Sequence, residues 1–165
     1  MHNSAEYHYN LNEEKFSTVK DLFEKIKKNL KNFDIVIHAA AVSDFELNSK
    51  INKKIKSNKE LHLELAPTTK ILENLKKLNR KIFLVGFKAE YNFSKNELVK
   101  SAYSLLKSSD SDLIVANDVG KENMGFDADT NEVFIVDRKK KVEHIKLSDK
   151  RIVADRLLDN ITKKL

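Results

Sequence analysis

The sequence predicts an α/β sandwich whose central sheet is mostly parallel, with an antiparallel element near the C-terminus. Short apolar runs rich in β-branched residues alternate with longer stretches of helical periodicity, which is typical of this class. Two late strand-like segments flank the charged turn Arg138–Lys141, which indicates an antiparallel pair. With only three glycines and one proline, the chain offers no linker, and we expect residues 1–165 to form a single domain.

The first third of the chain predicts one helix, one strand and one loop. Apolar residues recur at helical spacing between Ser17 and Lys31, with Asp21 early and lysines late, as the helix dipole favours. Residues 34–38 have the length and β-branching of a strand buried on both faces. The polar, lysine-rich residues 46–60 are interpreted as an exposed loop.

The middle of the chain predicts a strand followed by a helix. Leu61, Leu63 and Leu65 alternate with polar residues, which is typical of a half-buried strand. Thr68 or Thr69 is a suitable N-cap for the next helix. That helix carries apolar residues at helical spacing, namely Ile71, Leu72, Leu75 and Leu78.

The second half of the chain predicts four strands and two helices. The strands are expected at Ile82–Val85, Leu113–Ala116, Glu132–Asp137 and Val142–Ile145. Between the first two, Ser94 and Glu97 have the spacing of a capping box for a helix over residues 95–108. Ser148 is expected to cap a final helix whose apolar residues are Ile152, Val153, Leu157, Leu158 and Ile161.

Composition excludes several classes of function. The net charge is +6, but the basic residues are scattered, aromatic residues are few and Trp is absent, so no nucleic-acid partner is expected. No apolar run approaches the ~20 residues of a membrane span, and no signal peptide is evident, so a cytoplasmic protein is expected. There is no cysteine, no metal-ligand spacing among the histidines, and no P-loop, GxSxG or GxGxxG, so no metal site is assignable.

Polar and small residues follow three of the predicted strands. The first strand leads into three alanines and then Ser43 and Asp44, which would let a ligand approach the backbone and meet a carboxylate. The strands ending at Val85–Lys88 and Ile114–Asp118 are similar. Because ligands in open α/β sheets bind outside the carboxyl ends of the strands, we expect these three strand ends to line one crevice.

Each candidate feature near this crevice also has a structural interpretation. Lys53, Lys54 and Lys56 either close over a phosphate chain or form a solvated surface loop, and the pattern alone favours the surface loop. The helix start at residues 66–71 provides free N–H groups for an anion, or is an ordinary helix start. Asn117 either binds a ligand or satisfies neighbouring backbone groups. His38 is interpreted as a packed residue.

Taken in order, these segments resemble one known family. The segments are AAAVSD (39–44), KIK (54–56), APTTKI (66–71), VGFKAE (85–90), DLIVAND (112–118) and GFDADTNEV (125–133). From about residue 17 to the end, the chain resembles the C-terminal part of phosphopantothenoylcysteine synthetases (phosphopantothenate–cysteine ligases, the DNA/pantothenate metabolism flavoprotein C-terminal family), in an archaeal-like form. The resemblance implies a Rossmann-like three-layer sandwich.

The resemblance also implies an activity. Members of this family join 4′-phosphopantothenate and L-cysteine in coenzyme A biosynthesis, through an acyl-nucleotidylate that is formed with a nucleoside triphosphate and Mg²⁺. We expect CTP rather than ATP as the nucleotide substrate, and we expect the protein to form a homodimer.

The family's site residues transfer by position. Asp44 matches the aspartate that contacts the cytosine, and Lys54 matches the catalytic lid lysine that meets the phosphates. The backbone of Ala39 and Ala40 is expected beside the nucleotide, and Phe87 against it. The segment expected to frame the base is Thr69, Lys70, Ile71 and Leu72.

Two departures from the family pattern bear on function. Leu105 and Ser109 stand where bacterial members carry nucleotide-contacting lysines, and Lys107 or Lys88 is expected to substitute. The family's Gly-rich N-terminal half has no counterpart here, so a separate N-terminal or flavin decarboxylase subunit is a possible partner. The alternative function is a non-catalytic nucleotide-binding or dimerisation module, or a half-site subunit.

Overall fold

The computed structural model describes residues 12–49, 54, 60–120 and 128–165. The helices are α1 (Val19–Asn29), α2 (Ile71–Leu78), α3 (Lys95–Ser109) and α4 (Lys150–Thr162), and a short 3₁₀ turn, Leu30–Asn32, continues α1. The strands are β1 (Ile35–His38), β2 (Phe45–Leu47), β3 (Leu65–Pro67), β4 (Phe83–Glu90), β5 (Leu113–Asp118), β6 (Thr130–Asp137) and β7 (Val142–Asp149).

Five of the described strands form the central sheet, in the order β1-β4-β5-β6-β7. The pairs β1–β4 and β4–β5 are parallel, and the pairs β5–β6 and β6–β7 are antiparallel. Only β6 therefore runs against the other strands of this sheet, which confirms a mostly parallel sheet with an antiparallel element near the C-terminus.

Helices cover both faces of the sheet, so the predicted three layers are confirmed. On one face, α1, α2 and α3 pack through residues such as Leu75 and Leu98 onto a core that includes Leu84 and Ile114. On the other face, the apolar side of α4 (Val153, Leu157 and Ile161) packs on β4–β7. The alternation of side chains along the strands explains why consecutive residues of β5 enter different cores.

The segment around Leu65 differs from its prediction. Only Leu65–Pro67 forms a strand there, and it pairs antiparallel with β2 in a separate two-stranded ribbon. The first strand of the ribbon, β2, begins at Phe45 and extends into the loop expected over residues 46–60. Leu61, Leu63 and Leu65 are 49%, 53% and 58% exposed, so their alternation does not reflect burial among the described residues.

The structure confirms one of the three predicted helix caps. The capping box of Ser94 and Glu97 is confirmed, with the Ser94 N–H donating to Glu97 Oε2 at 2.8 Å. Neither Thr68 nor Thr69 caps α2, because the N-cap position is Lys70. Ser148 does not cap the last helix, since β7 continues to Asp149, whose side chain accepts from the Arg151 N–H instead.

Within the described part of the chain, every helix is too short or too polar to cross a bilayer.

Candidate functional site

A cavity of about 440 Å³ opens where β1 and β4 end and α2 begins. This volume lies in the range of small-molecule sites. The lining combines the segment 38–44 after β1, the segment 68–73 at the start of α2, the segment 87–89 of β4, and Leu105 of α3. All the predicted nucleotide-binding residues outside the lysine-rich loop are therefore brought together: Ala39, Ala40, Asp44, Thr69, Lys70, Ile71, Leu72 and Phe87.

Hydrogen bonds fasten the segment after β1 to the start of α2. The hydroxyl of Thr68 donates to the Ser43 carbonyl at 2.5 Å, and the Thr68 N–H donates to the Asp44 carbonyl at 2.9 Å. Thr68 is buried, and it has this bridging role instead of the predicted N-cap role. Because these bonds fix the backbone at both ends, Asp44 and the first residues of α2 hold a defined relative position.

The side chains of Asp44 and Lys70 form an ion pair at the mouth of the cavity. The hydrogen bond and the charge of Lys70, with a smaller contribution from Lys88, hold the pKa of Asp44 below its usual value. Asp44 is therefore an ionised hydrogen-bond acceptor at neutral pH. Both side chains remain more than half exposed, at 68% for Asp44 and 53% for Lys70, and so are accessible to a ligand.

Apolar side chains form the inner wall of the cavity. Ile71 and Leu72 are buried, and Phe87 and Leu105 are half-buried. Gly86 of β4 makes room for this wall, because a Cβ there would lie 2.5 Å from Leu72 Cδ2. The wall therefore offers an aromatic and aliphatic surface of the kind that suits a nucleotide base or sugar.

His38 also lines the cavity, at the end of β1. Burial lowers the pKa of its imidazole, so the ring is neutral at pH 7. The interpretation of His38 as a packed residue agrees with its half-burial, and the residue also contributes to the cavity lining.

Of the two lysines expected to substitute for the nucleotide-contacting lysines of bacterial members, Lys88 lines the cavity and Lys107 does not. Lys88 lines the cavity, and its Nζ lies 3.2 Å from Glu90 Oε1. Lys107 is not part of the lining, and its Nζ lies 5.7 Å from the centre of the Tyr103 ring. Ser109 is buried and its hydroxyl donates to the Leu105 carbonyl at 2.6 Å. Of the two positions where this sequence lacks the lysines of bacterial members, 105 and 109, only Leu105 lines the cavity.

Lys54, the predicted catalytic lysine, is exposed and is not one of the lining residues. The neighbouring Lys53 and Lys56 fall outside the described residues. The role of Lys54 in the chemistry therefore stays a prediction.

The third predicted strand end does not reach the cavity. The Asp118 carboxylate accepts hydrogen bonds from the backbone N–H groups of Asn92 and Gly120, both at 2.9 Å, and so holds two loops together. Asn117 donates to Asn131 Oδ1 on β6 at 3.4 Å. Two strand ends, rather than three, thus line the site together with α2, and a binding role for Asn117 stays a prediction.

Comparison with known proteins found matches over nearly the whole chain. Residues 2–165 match the family model described as "DNA/pantothenate metabolism flavoprotein C-terminal domain". The chain is 42% identical over 158 residues to the coenzyme A biosynthesis bifunctional protein CoaBC of Thermococcus kodakarensis, and 36% identical over 155 residues to that of Methanocaldococcus jannaschii. These alignments cover 93% and 94% of this chain but only 38% and 37% of the two relatives.

A solved structure has the same fold. The crystal structure of the DNA/pantothenate metabolism flavoprotein from Streptococcus pneumoniae superposes with a TM-score of 0.82 at 28% identity. The match covers 97% of this chain and 76% of that chain. The chain therefore belongs to the DNA/pantothenate metabolism flavoprotein C-terminal domain family.

Proposed function

We propose that this chain carries the nucleotide-activating site of a phosphopantothenate–cysteine ligase of coenzyme A biosynthesis. The observation that carries the proposal is the cavity at the ends of β1 and β4, where Asp44, Phe87 and the N-terminus of α2 meet in a member of this family. Two relatives that carry the name of a coenzyme A biosynthesis protein support it.

The proposed reaction has two steps. The carboxylate of 4′-phosphopantothenate attacks the α-phosphorus of the nucleotide, and pyrophosphate leaves. The amine of L-cysteine then attacks the acyl carbon of the resulting mixed anhydride, loses a proton and expels the nucleoside monophosphate, so that an amide forms. Activation is needed because a free carboxylate has no adequate leaving group.

The residues around the cavity have separate roles in this proposal. Asp44 accepts a hydrogen bond from the amino group of the base, and Phe87 packs against the nucleotide. The segment Thr69–Leu72 at the start of α2 frames the base, and the free N–H groups and positive dipole end of this helix also favour the phosphate oxygens. Lys88 and the predicted catalytic lysine, Lys54, stabilise the negative charge that develops during nucleotidyl transfer.

Mg²⁺ enters this proposal as part of the nucleotide substrate. No group of three or more His, Asp or Glu side chains that could hold a metal ion occurs among the described residues. Mg²⁺ commonly binds through phosphate oxygens, water and one or two carboxylates, which agrees with delivery as a metal–triphosphate complex.

The test is pyrophosphate release by the chain with Mg²⁺ and 4′-phosphopantothenate, comparing CTP with ATP and omitting cysteine. We expect release that requires 4′-phosphopantothenate and is faster with CTP, in a reaction that we place in the cytoplasm. Release that does not depend on 4′-phosphopantothenate would contradict carboxylate activation. A Lys54→Ala variant that releases pyrophosphate at the normal rate would remove Lys54 from the chemistry.

A second candidate function is a nucleotide-binding half-site. Leu105 favours it, because an apolar side chain lines the cavity where bacterial members carry a lysine. In this alternative, residues 1–165 form one domain that requires a separate N-terminal or flavin decarboxylase subunit to complete the substrate site. Binding of CTP without pyrophosphate release, with release restored by such a partner, would support the half-site.

We also propose that the chain forms a homodimer through the β2–β3 ribbon. The pairing register places Phe45 opposite Pro67 and Leu47 opposite Leu65, so these side chains share one face. Phe45, Leu47 and Leu65 are each more than 50% exposed, and exposed apolar patches often mark interfaces. Sedimentation of a Leu47→Lys variant should show a monomer, whereas Leu158→Lys on α4 should leave the dimer intact.

A further inference from the structure

We propose that Lys70 is a specificity-determining residue that couples recognition of the base to binding of the triphosphate. Asp44 holds the Lys70 ammonium before a nucleotide binds. A nucleotide whose base carries an amino group then takes over the Asp44 carboxylate and frees Lys70 for the phosphates. This inference rests on the proposed function and assigns a role in it to one ion pair.

The geometry makes Lys70 the suitable cation. Among the described residues, three basic side chains line the cavity, namely His38, Lys70 and Lys88, and the His38 imidazole is neutral at pH 7. Lys88 has a partner in Glu90, a carboxylate that also accepts from the Ser101 hydroxyl at 2.6 Å and lies outside the cavity lining. Of the described lysines that line the cavity, Lys70 is therefore the one whose ion-pair partner, Asp44, is itself a candidate ligand-binding residue.

The position of Lys70 adds to this argument. Lys70 is the N-cap residue of α2, and no side chain within the described part of the chain caps this helix end. A phosphate that binds the free N–H groups of the first turn would lie beside the residue that carries the Lys70 ammonium. The helix end and Lys70 would then act on the same anion.

Separation of the ion pair is energetically easy. Both side chains are more than half exposed, and exposed ion pairs change an equilibrium by roughly a factor of five or less. By contrast, the backbone around the pair is fixed by the hydrogen bonds of Thr68 to Ser43 and Asp44. The two side chains can therefore change partners without movement of the elements that carry them.

The exchange discriminates between bases. An ionised carboxylate only accepts hydrogen bonds, so the exocyclic amino group of cytosine or adenine satisfies Asp44, whereas the carbonyl of uracil at the equivalent position does not. With a base that lacks the amino group, nothing replaces Lys70 on Asp44, so the cost of breaking the ion pair is not compensated when Lys70 moves to the triphosphate. An incorrect base thus loses its contact with Asp44 and also weakens the Lys70–phosphate contact, by roughly a factor of five or less.

The experiment compares CTP with cytidine, which has the base but no phosphate, by calorimetric titration of the full chain at constant ionic strength. For Lys70→Met, we expect the Kd of CTP to rise about tenfold, because a charge-assisted phosphate contact is lost. We expect the Kd of cytidine to fall about twofold, because its competitor for Asp44 is gone. Lys77→Met removes an exposed lysine from the other end of α2 and should change neither value.

The opposite signs distinguish this role from a structural one. Equal losses of CTP and cytidine affinity in Lys70→Met would overturn the exchange, as would unchanged CTP affinity. Lys70→Arg should keep the CTP affinity within about threefold, since the positive charge remains. If the wild-type protein binds neither CTP nor ATP, the proposed function is overturned as well. If the wild-type protein binds CTP but Lys70→Met changes the Kd of CTP and the Kd of cytidine in the same direction, only the Lys70 inference is overturned.

Discussion

Lys76 Nζ lies 2.7 Å from Asp112 Oδ2, and this ion pair joins α2 to the start of β5. Lys76 is buried, and its ammonium also donates to the Ile82 carbonyl at 2.5 Å. The same Asp112 oxygen accepts from the Leu84 N–H at 2.8 Å. The helix whose N-terminus borders the cavity is therefore anchored to the sheet at its opposite end.

Loss of the Asp112 charge should destabilise the protein strongly. Asp112→Asn leaves a buried ammonium without its counter-ion, so we expect the free energy of unfolding to fall by about 3 kcal/mol. Lys76→Met should cost less, because Asp112 keeps its bonds to Leu84 and Arg138. Urea denaturation measures both values, with the exposed Lys77→Met as a control expected within about 0.5 kcal/mol of wild type. Equal small losses would show that the pair is not a structural anchor.

Addition of one methyl group to Gly86 should disturb both the core and the cavity wall. The new Cβ would lie 2.5 Å from Leu72 Cδ2 and 2.8 Å from Ile114 Cδ1, so both side chains must move. Overpacking of this kind costs about 1–3 kcal/mol, and we expect Gly86→Ala to lose stability in this range. Thermal unfolding checks the loss. Because Leu72→Ala is itself destabilising, the cost of Gly86→Ala is also measured in a Leu72→Ala background, where it should be smaller. An equal cost of Gly86→Ala in both backgrounds would contradict the close contact.

Acid should weaken the turn between β6 and β7 through Asp137. Burial raises the pKa of this carboxyl, but hydrogen bonds from the Lys164 side chain and the Lys141 N–H outweigh burial and hold the pKa below its usual value of 3.8. The stabilisation is therefore complete above the unfolded-state pKa and is lost as the pH falls through the lower, folded-state pKa. The free energy of unfolding, measured by urea denaturation, should fall less between pH 7 and pH 3 in Asp137→Asn than in the wild-type protein.

A lysine at position 105 should increase the affinity for triphosphates. Leu105 lines the cavity from α3 and is only half-buried, so a lysine there can extend toward bound phosphates. We expect Leu105→Lys to lower the Kd of CTP about tenfold, since a charge-assisted contact is gained. Leu158→Lys changes an exposed leucine on the opposite layer and should have no effect on CTP. An equal gain in both variants would indicate nonspecific attraction by the added charge.

The sequence predicted most of the central sheet because its strands are rich in β-branched residues and its helices are amphipathic. Length and β-branching were enough to identify the strands at residues 34–38 and 113–116. The prediction that the first of these is buried on both faces was wrong, because β1 lies at the edge of the sheet and its Ile35 and Ile37 are 37% and 42% exposed among the described residues. The limits of β4 were missed, since its extension over Phe87, Lys88 and Ala89 depends on pairing with β5 rather than on local pattern. Register with a neighbouring strand is a long-range property that periodicity does not encode.

The candidate site was predicted largely through the family resemblance, and its details required coordinates. Ala39, Asp44 and Phe87 are brought to one cavity as expected. The ion pair between Asp44 and Lys70 joins residues that are distant in sequence, so no local motif could reveal it. Thr68 was expected as a helix cap because its type suits that position, yet tertiary contact with Ser43 determines its hydrogen bond.

The order of the strands also has a consequence for how the chain folds. The β6–β7 hairpin closes over a four-residue turn, whereas β1 pairs with β4 only by bringing Ile35 opposite Phe83. Long loop closures are slow and entropically costly, so the β1–β4 pairing should assemble last and open first. The cavity lies at the ends of β1 and β4, so nucleotide binding should slow amide hydrogen exchange in β1 more than in β7.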